Sequence, residues 1–196
     1  MRRTDAPAPR SDSGLSVIKI GGRLSATPGL LDQVCAAVAD ASRKHALLVV
    51  PGGGPFADAV RDFDRLIGIS ADAAHWMAIL AMDQYAHVLA GRIPGAVLVE
   101  EPGAVPEILG NGRVAVLAPS RWMHSVDVLP HSWDVTSDSI AAFVAGALGA
   151  ERLVLIKPTA RGGQVDPYFA SALPSGMPYV VLPWDRVKEL ASCVSG

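Results

Sequence analysis

Leu15-Ser-Val-Ile-Lys-Ile-Gly-Gly22 is an aliphatic run broken by one lysine and stopped by a glycine pair. An apolar run of this length, bounded by a turn signal, reads as a buried strand. The pattern returns at Ala46-Leu-Leu-Val-Val50, stopped by Pro51-Gly-Gly-Gly54. Between the two, Thr27-Pro28 supplies a helix cap and a first-turn proline. Leu30, Leu31, Val34, Val38 and Ala41 then share one helical face, which ends near Lys44-His45. After the triple glycine, residues 55–66 read as a second helix with Phe56, Val60 and Phe63 on one side. Strand, helix, strand and helix in that order predict an α/β layered domain with a mainly parallel sheet.

The same reading extends outward. Ser70 caps a long helix over residues 70–91, apolar around much of its circumference through Trp76, Ile79, Leu80, Tyr85, Val88 and Leu89. A helix of that kind is buried on more than one side, which suggests a partner subunit and hence a homo-oligomer. Further strands are expected at 96–99, 113–117, 153–156 and 179–182, with helices at 137–148 and 184–194. Half of the residues are hydrophobic (50%) and 18% are charged, enough to bury a core in one domain spanning 15–196. Residues 1–14, rich in Pro, Ser, Asp and Arg, read as a flexible leader without the apolar stretch of a signal peptide. A net charge of -2 and a pI near 6.2 give no electrostatic reason to expect nucleic acid. No run is long enough for a membrane span, and Cys35 and Cys193 stand in no metal or redox spacing. The expected setting is the cytoplasm.

Chemistry concentrates at strand ends. Gly21-Gly22 follows a strand carrying Lys19, and Gly52-Gly53-Gly54 follows the next and opens a helix. Glycine lets a ligand approach the backbone, and a helix N-terminus offers unpaired N–H groups to an anion. Neither cluster has Walker A or Rossmann spacing, so the composition predicts a phosphate cradle of another kind. Asp134, Thr136, Ser137 and Asp138 gather at the start of the 137–148 helix, downstream of Trp122, His124, His131 and Trp133. Capping explains one or two of these residues and leaves an aspartate free to order nearby lysines. Lys157-Pro-Thr159 ends another strand and runs into a loop with Gly162-Gly163.

Lys19-Ile-Gly-Gly22, Pro51-Gly-Gly-Gly54, Thr136-Ser-Asp-Ser-Ile-Ala-Ala142 and Lys157-Pro-Thr159 stand in an order that resembles the amino acid kinase superfamily, over residues 17–167. Within it, His75-Trp-Met-Ala-Ile-Leu-Ala-Met-Asp83 and His131-Ser-Trp-Asp-Val-Thr-Ser-Asp-Ser139 look like the small kinases of methanofuran biosynthesis, which act on 5-(aminomethyl)-3-furanmethanol phosphate.

The resemblance implies a three-layer αβα sandwich and ATP-dependent phosphoryl transfer with Mg²⁺ to a small phosphorylated acceptor. It makes Lys19 and Asp138 the catalytic pair, with Asp138 organising the lysines around it. Gly21, Gly22, Lys157, Thr159, Asp166 and Tyr168 would meet the nucleotide. Gly52, Gly53, Gly54, Thr136 and Ser137 would meet the acceptor, with His75, Asp83, His131 and Trp133 as its recognition set. An aminomethyl furan calls for a carboxylate and an aromatic face. Two departures stand out: Gly162-Gly163 replaces a familial Asp-Gly, and the late lysine of acetylglutamate kinases has no clear counterpart, since Lys188 sits on an amphipathic terminal helix. The alternatives are a kinase for a nucleoside or isoprenoid monophosphate, or a nucleotide-binding storage or regulatory oligomer without turnover.

Overall fold

The computed structural model describes residues 14–158 and 164–195. Thr159, Gly162-Gly163 and all of the expected leader but Gly14 lie outside them. Six parallel strands form one sheet: β1 (Ser16–Ile20), β2 (Leu47–Pro51), β3 (Ala96–Val99), β4 (Val114–Leu117), β5 (Arg152–Lys157) and β6 (Tyr179–Pro183). Their order is β3-β4-β2-β1-β5-β6, so β1 lies between β2 and β5. The chain leaves β1 toward β2 on one side and returns on the other only at β5. That reversal opens a crevice at the carboxyl ends of β1, β2 and β5, where open parallel sheets bind ligands.

Side-chain alternation divides the interior into two layers. Ile18 and Ile20 of β1, with Val49, Val154 and Ile156, face α1 (Leu30–Ser42) and the C-terminal α8 (Leu190–Val194). Val17, Leu48, Val50, Leu153 and Leu155 face the other way, toward α5 (Ser120–Val126), α6 (Ser137–Ala147) and α7 (Phe169–Ala172). Lys19 and Lys157 lie two residues beyond Val17 and Leu155, so the period-2 pleat puts both on the α6 face at the crevice end. The expected sandwich is present, with every strand pair parallel.

Several local expectations change. The first helix begins at Leu30, with Gly29 in the left-handed region as its N-cap, because a 3-10 segment at Gly22–Ala26 displaces it past Thr27-Pro28. In α2 (Gly54–Ile67), Ala57 and Val60 take the inward face and Phe63 is exposed. The expected last helix is split into a 3-10 turn, Trp184–Glu189, and α8. A short α4 (Val105–Gly110), α5 and α7 lie in stretches without clear periodicity. The long helix α3 (Ala71–Arg92) starts at Ser70, whose hydroxyl accepts from the Ala73 N–H at 3.2 Å. Its Ile79 and Met82 pack in one layer and its Tyr85, Ala86 and Leu89 in the other. Much of its apolar circumference is therefore covered within the chain itself. No helix among the described residues is long and apolar enough to cross a membrane.

Candidate active site

Lys19, Asp138 and Lys157 meet at the crevice. Asp138, in the first turn of α6, lies 2.8 Å from Lys19 Nζ through Oδ1 and 2.6 Å from Lys157 Nζ through Oδ2. All three are buried, at 6%, 4% and 7% exposure. Lys157 Nζ also donates to the Gln164 carbonyl at 2.7 Å. The Lys19 contact is an ion pair off the hydrogen-bonding direction, so Oδ1 has a charge beside it but no aligned donor among the described residues. Two ammonium groups against one carboxylate leave a net positive centre facing the cleft. Burial lowers the Lys19 pKa, and Asp138 only partly restores it. For Asp138, burial pushes upward, but the two lysines outweigh it and hold the carboxyl below the usual range.

The glycine loops follow from close packing. A Cβ on Gly22 would stand 2.1 Å from the Gly54 nitrogen, and one on Gly52 would stand 2.6 Å from the Gly22 nitrogen. Gly54 also has φ +58, a left-handed conformation that disfavours any side chain. The two loops thus press backbone to backbone. Gly21 and Gly52 spend their N–H groups on Ile156 and Ile20. The N–H groups of Gly22, Gly53 and Gly54 donate to no described group, and all three residues line the cleft. Backbone donors at the N-terminal end of α2, sharing a cleft of about 460 Å³ with two lysines, are suited to holding phosphate oxygens.

The remaining expected residues separate into two groups. His75, Trp133, Thr136, Ser137 and Asp166 line the cleft. Trp133 Nε1 donates to Asp64 Oδ2 at 2.9 Å, and the Arg61 guanidinium lies 4.8 Å from its ring centre. Asp166 receives the Thr136 N–H at 2.9 Å, the Ser139 N–H at 3.0 Å and both hydroxyls. This distant carboxylate is the real cap of α6, because Thr136 makes no side-chain cap of its own. Asp83, His131, Tyr168 and Gly52 do not line the cleft. Asp83 accepts the Ser120 N–H at 3.0 Å and the Ser120 hydroxyl, which ties α3 to the start of α5. Tyr168 donates its N–H to Asp134, and His131 stacks behind His75. Trp76 packs against the interior and stacks on His124.

Among the polar cleft residues that escaped the sequence reading are Arg23, Asp58, Arg61 and Gln164. The available signal was spacing, because Gly54, Asp58 and Arg61 recur at helical intervals down one face of α2. Asp58 Oδ1 accepts from Arg61 at 2.9 Å. Both Asp138 oxygens have a lysine beside them and Asp166 accepts four hydrogen bonds, whereas Asp58 Oδ2 has no described partner.

Comparison with known proteins gives the family. The model of the amino acid kinase family matches residues 14–160. A [5-(aminomethyl)furan-3-yl]methyl phosphate kinase of Methanocaldococcus jannaschii is 29% identical over 141 residues, which cover 72% of this chain and 64% of that protein. Uridylate kinase from Archaeoglobus fulgidus superposes with a TM-score of 0.66 at 17% identity, covering 93% of this chain and 96% of its own. UMP kinase from Ureaplasma parvum gives 0.55 at 15% identity, over 75% and 67%. At these identities the two structures speak for the fold alone. With the family model spanning most of the sequence and the same fold around the lysine–aspartate centre, the chain belongs to the amino acid kinase family.

Proposed function

We propose that this chain is an ATP-dependent kinase that phosphorylates a small phosphate monoester, and that its acceptor is [5-(aminomethyl)furan-3-yl]methyl phosphate, yielding the diphosphate. The observation that carries the reading is the buried Lys19–Asp138–Lys157 centre in one cleft with the N–H groups of Gly22, Gly53 and Gly54. An acceptor phosphate oxygen attacks the γ-phosphorus, the bond to the β–γ bridging oxygen breaks, and ADP leaves. A phosphate monoester is already anionic near neutral pH, so no general base is needed. Lys19 and Lys157 meet the negative charge of the transferring group, and Asp138 holds both ammonium groups in place. Gly53 and Gly54 would hold the acceptor phosphate, and Gly22 the nucleotide's. Among the described residues no three His, Cys, Asp or Glu side chains stand together as a metal site. Mg²⁺ would therefore be held mainly by nucleotide oxygens and water, where it supplies charge neutralisation.

The acceptor assignment rests on the name of the M. jannaschii relative and on the far wall of the cleft. Asp58 lies four residues along α2 from Gly54, about 6 Å by helical rise. That is comparable to the span of a five-membered ring with a methylene on each side. With Asp83 outside the cleft, Asp58 would receive the ammonium, in a cleft also lined by Trp133 and His75. Self-association belongs to the same reading and is measured by light scattering.

A panel of phosphate monoesters assayed by coupled ADP release tests the proposal. It should include the aminomethyl furan, its des-amino analogue, a nucleoside monophosphate and an isoprenoid monophosphate. The aminomethyl furan should give the highest kcat/KM, and Asp58→Asn should erase its advantage over the des-amino analogue. A nucleotide or isoprenoid preference would replace the acceptor. Mg-ATP binding with no turnover of any acceptor would replace the kinase with a nucleotide-binding protein.

A further inference from the structure

His131 stands outside the cleft but bears directly on its wall. Its Nδ1 lies 2.7 Å from Asp72 Oδ1, in the first turn of α3, and its Nε2 lies 2.8 Å from Asp127 Oδ1, at the C-cap of α5. A neutral imidazole has one N–H and one lone pair, and the lone pair would then face a carboxylate oxygen. Only the doubly protonated ring donates at both contacts. The ring stacks on His75 at 4.2 Å between centroids and 17° between planes. Two stacked imidazolium rings at that distance would repel, so a charged His131 requires a neutral His75. Trp76 closes the group edge-on, 4.9 Å from His75 and 5.2 Å from His131, with His124 stacked on the indole face.

Asp127 holds its place at a conformational cost. It is the one non-glycine residue with positive φ among those described, at φ 39 and ψ 52. The segment 127–136 that follows carries Trp133 to the cleft and leads into α6. Side chains tie it to α2 through Trp133 and Asp64 and to α3 through His131 and Asp72, while Asp134 and Thr136 join it to Tyr168 and Asp166.

We infer that His131 is a positioning residue for acceptor binding: as an imidazolium shared by Asp72 and Asp127, it ties the Trp133 segment to α3 and keeps a neutral His75 against the cleft. The groups facing His131 are Asp72 and His75 from α3, with Asp127 from α5; His124 bears on His75 across Trp76. Titration follows the geometry. Asp72 and then Asp127 raise the His131 pKa above its ordinary value, while burial and then the His131 charge lower His75 to about 4. A raised pKa means that the clamp is complete below the ordinary histidine range, near pH 6.5, and is lost as pH rises through the higher folded value. Acceptor binding is therefore weakened by alkali on this side of the cleft.

That this wall binds acceptor rests on the function proposed above, whereas the charge states do not. Long-range ¹H–¹⁵N correlation spectra of the histidine rings, assigned with His131→Gln and His75→Gln, should show His131 mainly doubly protonated at pH 6.5 and His75 as a neutral tautomer down to about pH 5. A neutral His131 at pH 6.5 overturns the inference whatever the acceptor. In kinetics, His131→Gln should raise the acceptor KM about five- to tenfold at pH 6, with kcat and the ATP KM within twofold. The wild-type KM should climb toward that of the variant as His131 titrates; the ratio of the two cancels ionisation of the acceptor itself. Asp127→Asn is the second variant, because asparagine tolerates the left-handed backbone and the fold is retained. It should lower the His131 pKa and shift the KM rise to lower pH. Wild-type turnover with an unchanged acceptor KM in both variants overturns the positioning role, whereas absence of turnover in the wild type strikes only the parent proposal.

Discussion

Replacing Asp138 with asparagine keeps the shape of the side chain and removes the charge that two lysines share. Lys19 and Lys157, now 2.8 and 2.6 Å from its oxygens, would face a neutral amide and each other in a buried site. Removing one partner of a buried ion pair costs about 3–5 kcal/mol, because the charge left behind has lost its solvation. For a domain of this size each kcal/mol moves Tm by roughly 2–4 °C, so Tm should fall by about 6–20 °C. A stability of about 5–15 kcal/mol leaves most molecules folded at 25 °C. Turnover should fall about 10²–10³-fold, as for the loss of a preorganised electrostatic group. Lys157→Met is the control, since it leaves Asp138 paired with Lys19, and it should cost less stability than Asp138→Asn. Urea denaturation and coupled ADP release on the folded protein provide both readings. Asp138→Asn with stability within 1 kcal/mol and kcat within threefold of wild type would refute the shared-anchor reasoning. So would a Lys157→Met variant that is the less stable of the two. The sign of the pH dependence is set as well. Asp138 is held below the usual carboxylate range, so its contribution is fully present above about pH 4 and is lost as pH falls through the folded value. The stability gap between wild type and Asp138→Asn should close in acid.

Gly22→Ala places a methyl 2.1 Å from the Gly54 nitrogen, so the two loops must separate. Isothermal titration should show ATP affinity reduced at least tenfold, and unchanged affinity would mean that the loop contact does not shape the phosphate site. Asp83→Ala removes two hydrogen bonds at the start of α5 and should cost about 1–2 kcal/mol in thermal melts. The acceptor KM should stay within twofold, and a tenfold rise would return Asp83 to the recognition set. Trp133→Phe keeps an aromatic face but loses the bond to Asp64. Acceptor KM should rise about three- to tenfold with the ATP KM unchanged; equal loss on both substrates would contradict the division of the cleft.

Elements whose signal is local were legible in the sequence. Each of these strands is an apolar run closed by glycine, proline or a charge, and β1, β2 and β5 carried their lysines and glycines at the cleft end with them. The start of α1 was misplaced because Thr27-Pro28 is a strong cap signal that a preceding 3-10 turn overrides. The α6 terminus shows a different limit. Thr136, Ser137 and Asp138 look like local caps, yet the capping oxygens come from Asp166, brought in by the chain after β5. Asp58 and Arg61 are opposite charges at i,i+3 spacing, as on any solvated helix face, and only the fold turns that face toward the cleft. Asp83 erred the other way. A carboxylate in a family-like segment suggested a ligand contact, and the tertiary structure spends it on Ser120. Spacing along the chain cannot say which carboxylates are satisfied by remote donors, and at this site that distinction separates structural aspartates from available ones.

Phosphorus NMR of the purified protein with Mg-ATP and [5-(aminomethyl)furan-3-yl]methyl phosphate tests the central claim most directly. Transfer predicts loss of the acceptor singlet and growth of two coupled diphosphate doublets in step with ADP. The Lys19→Met variant should leave the acceptor singlet intact. An unchanged acceptor signal, or ADP accumulating with inorganic phosphate alone, would contradict the account.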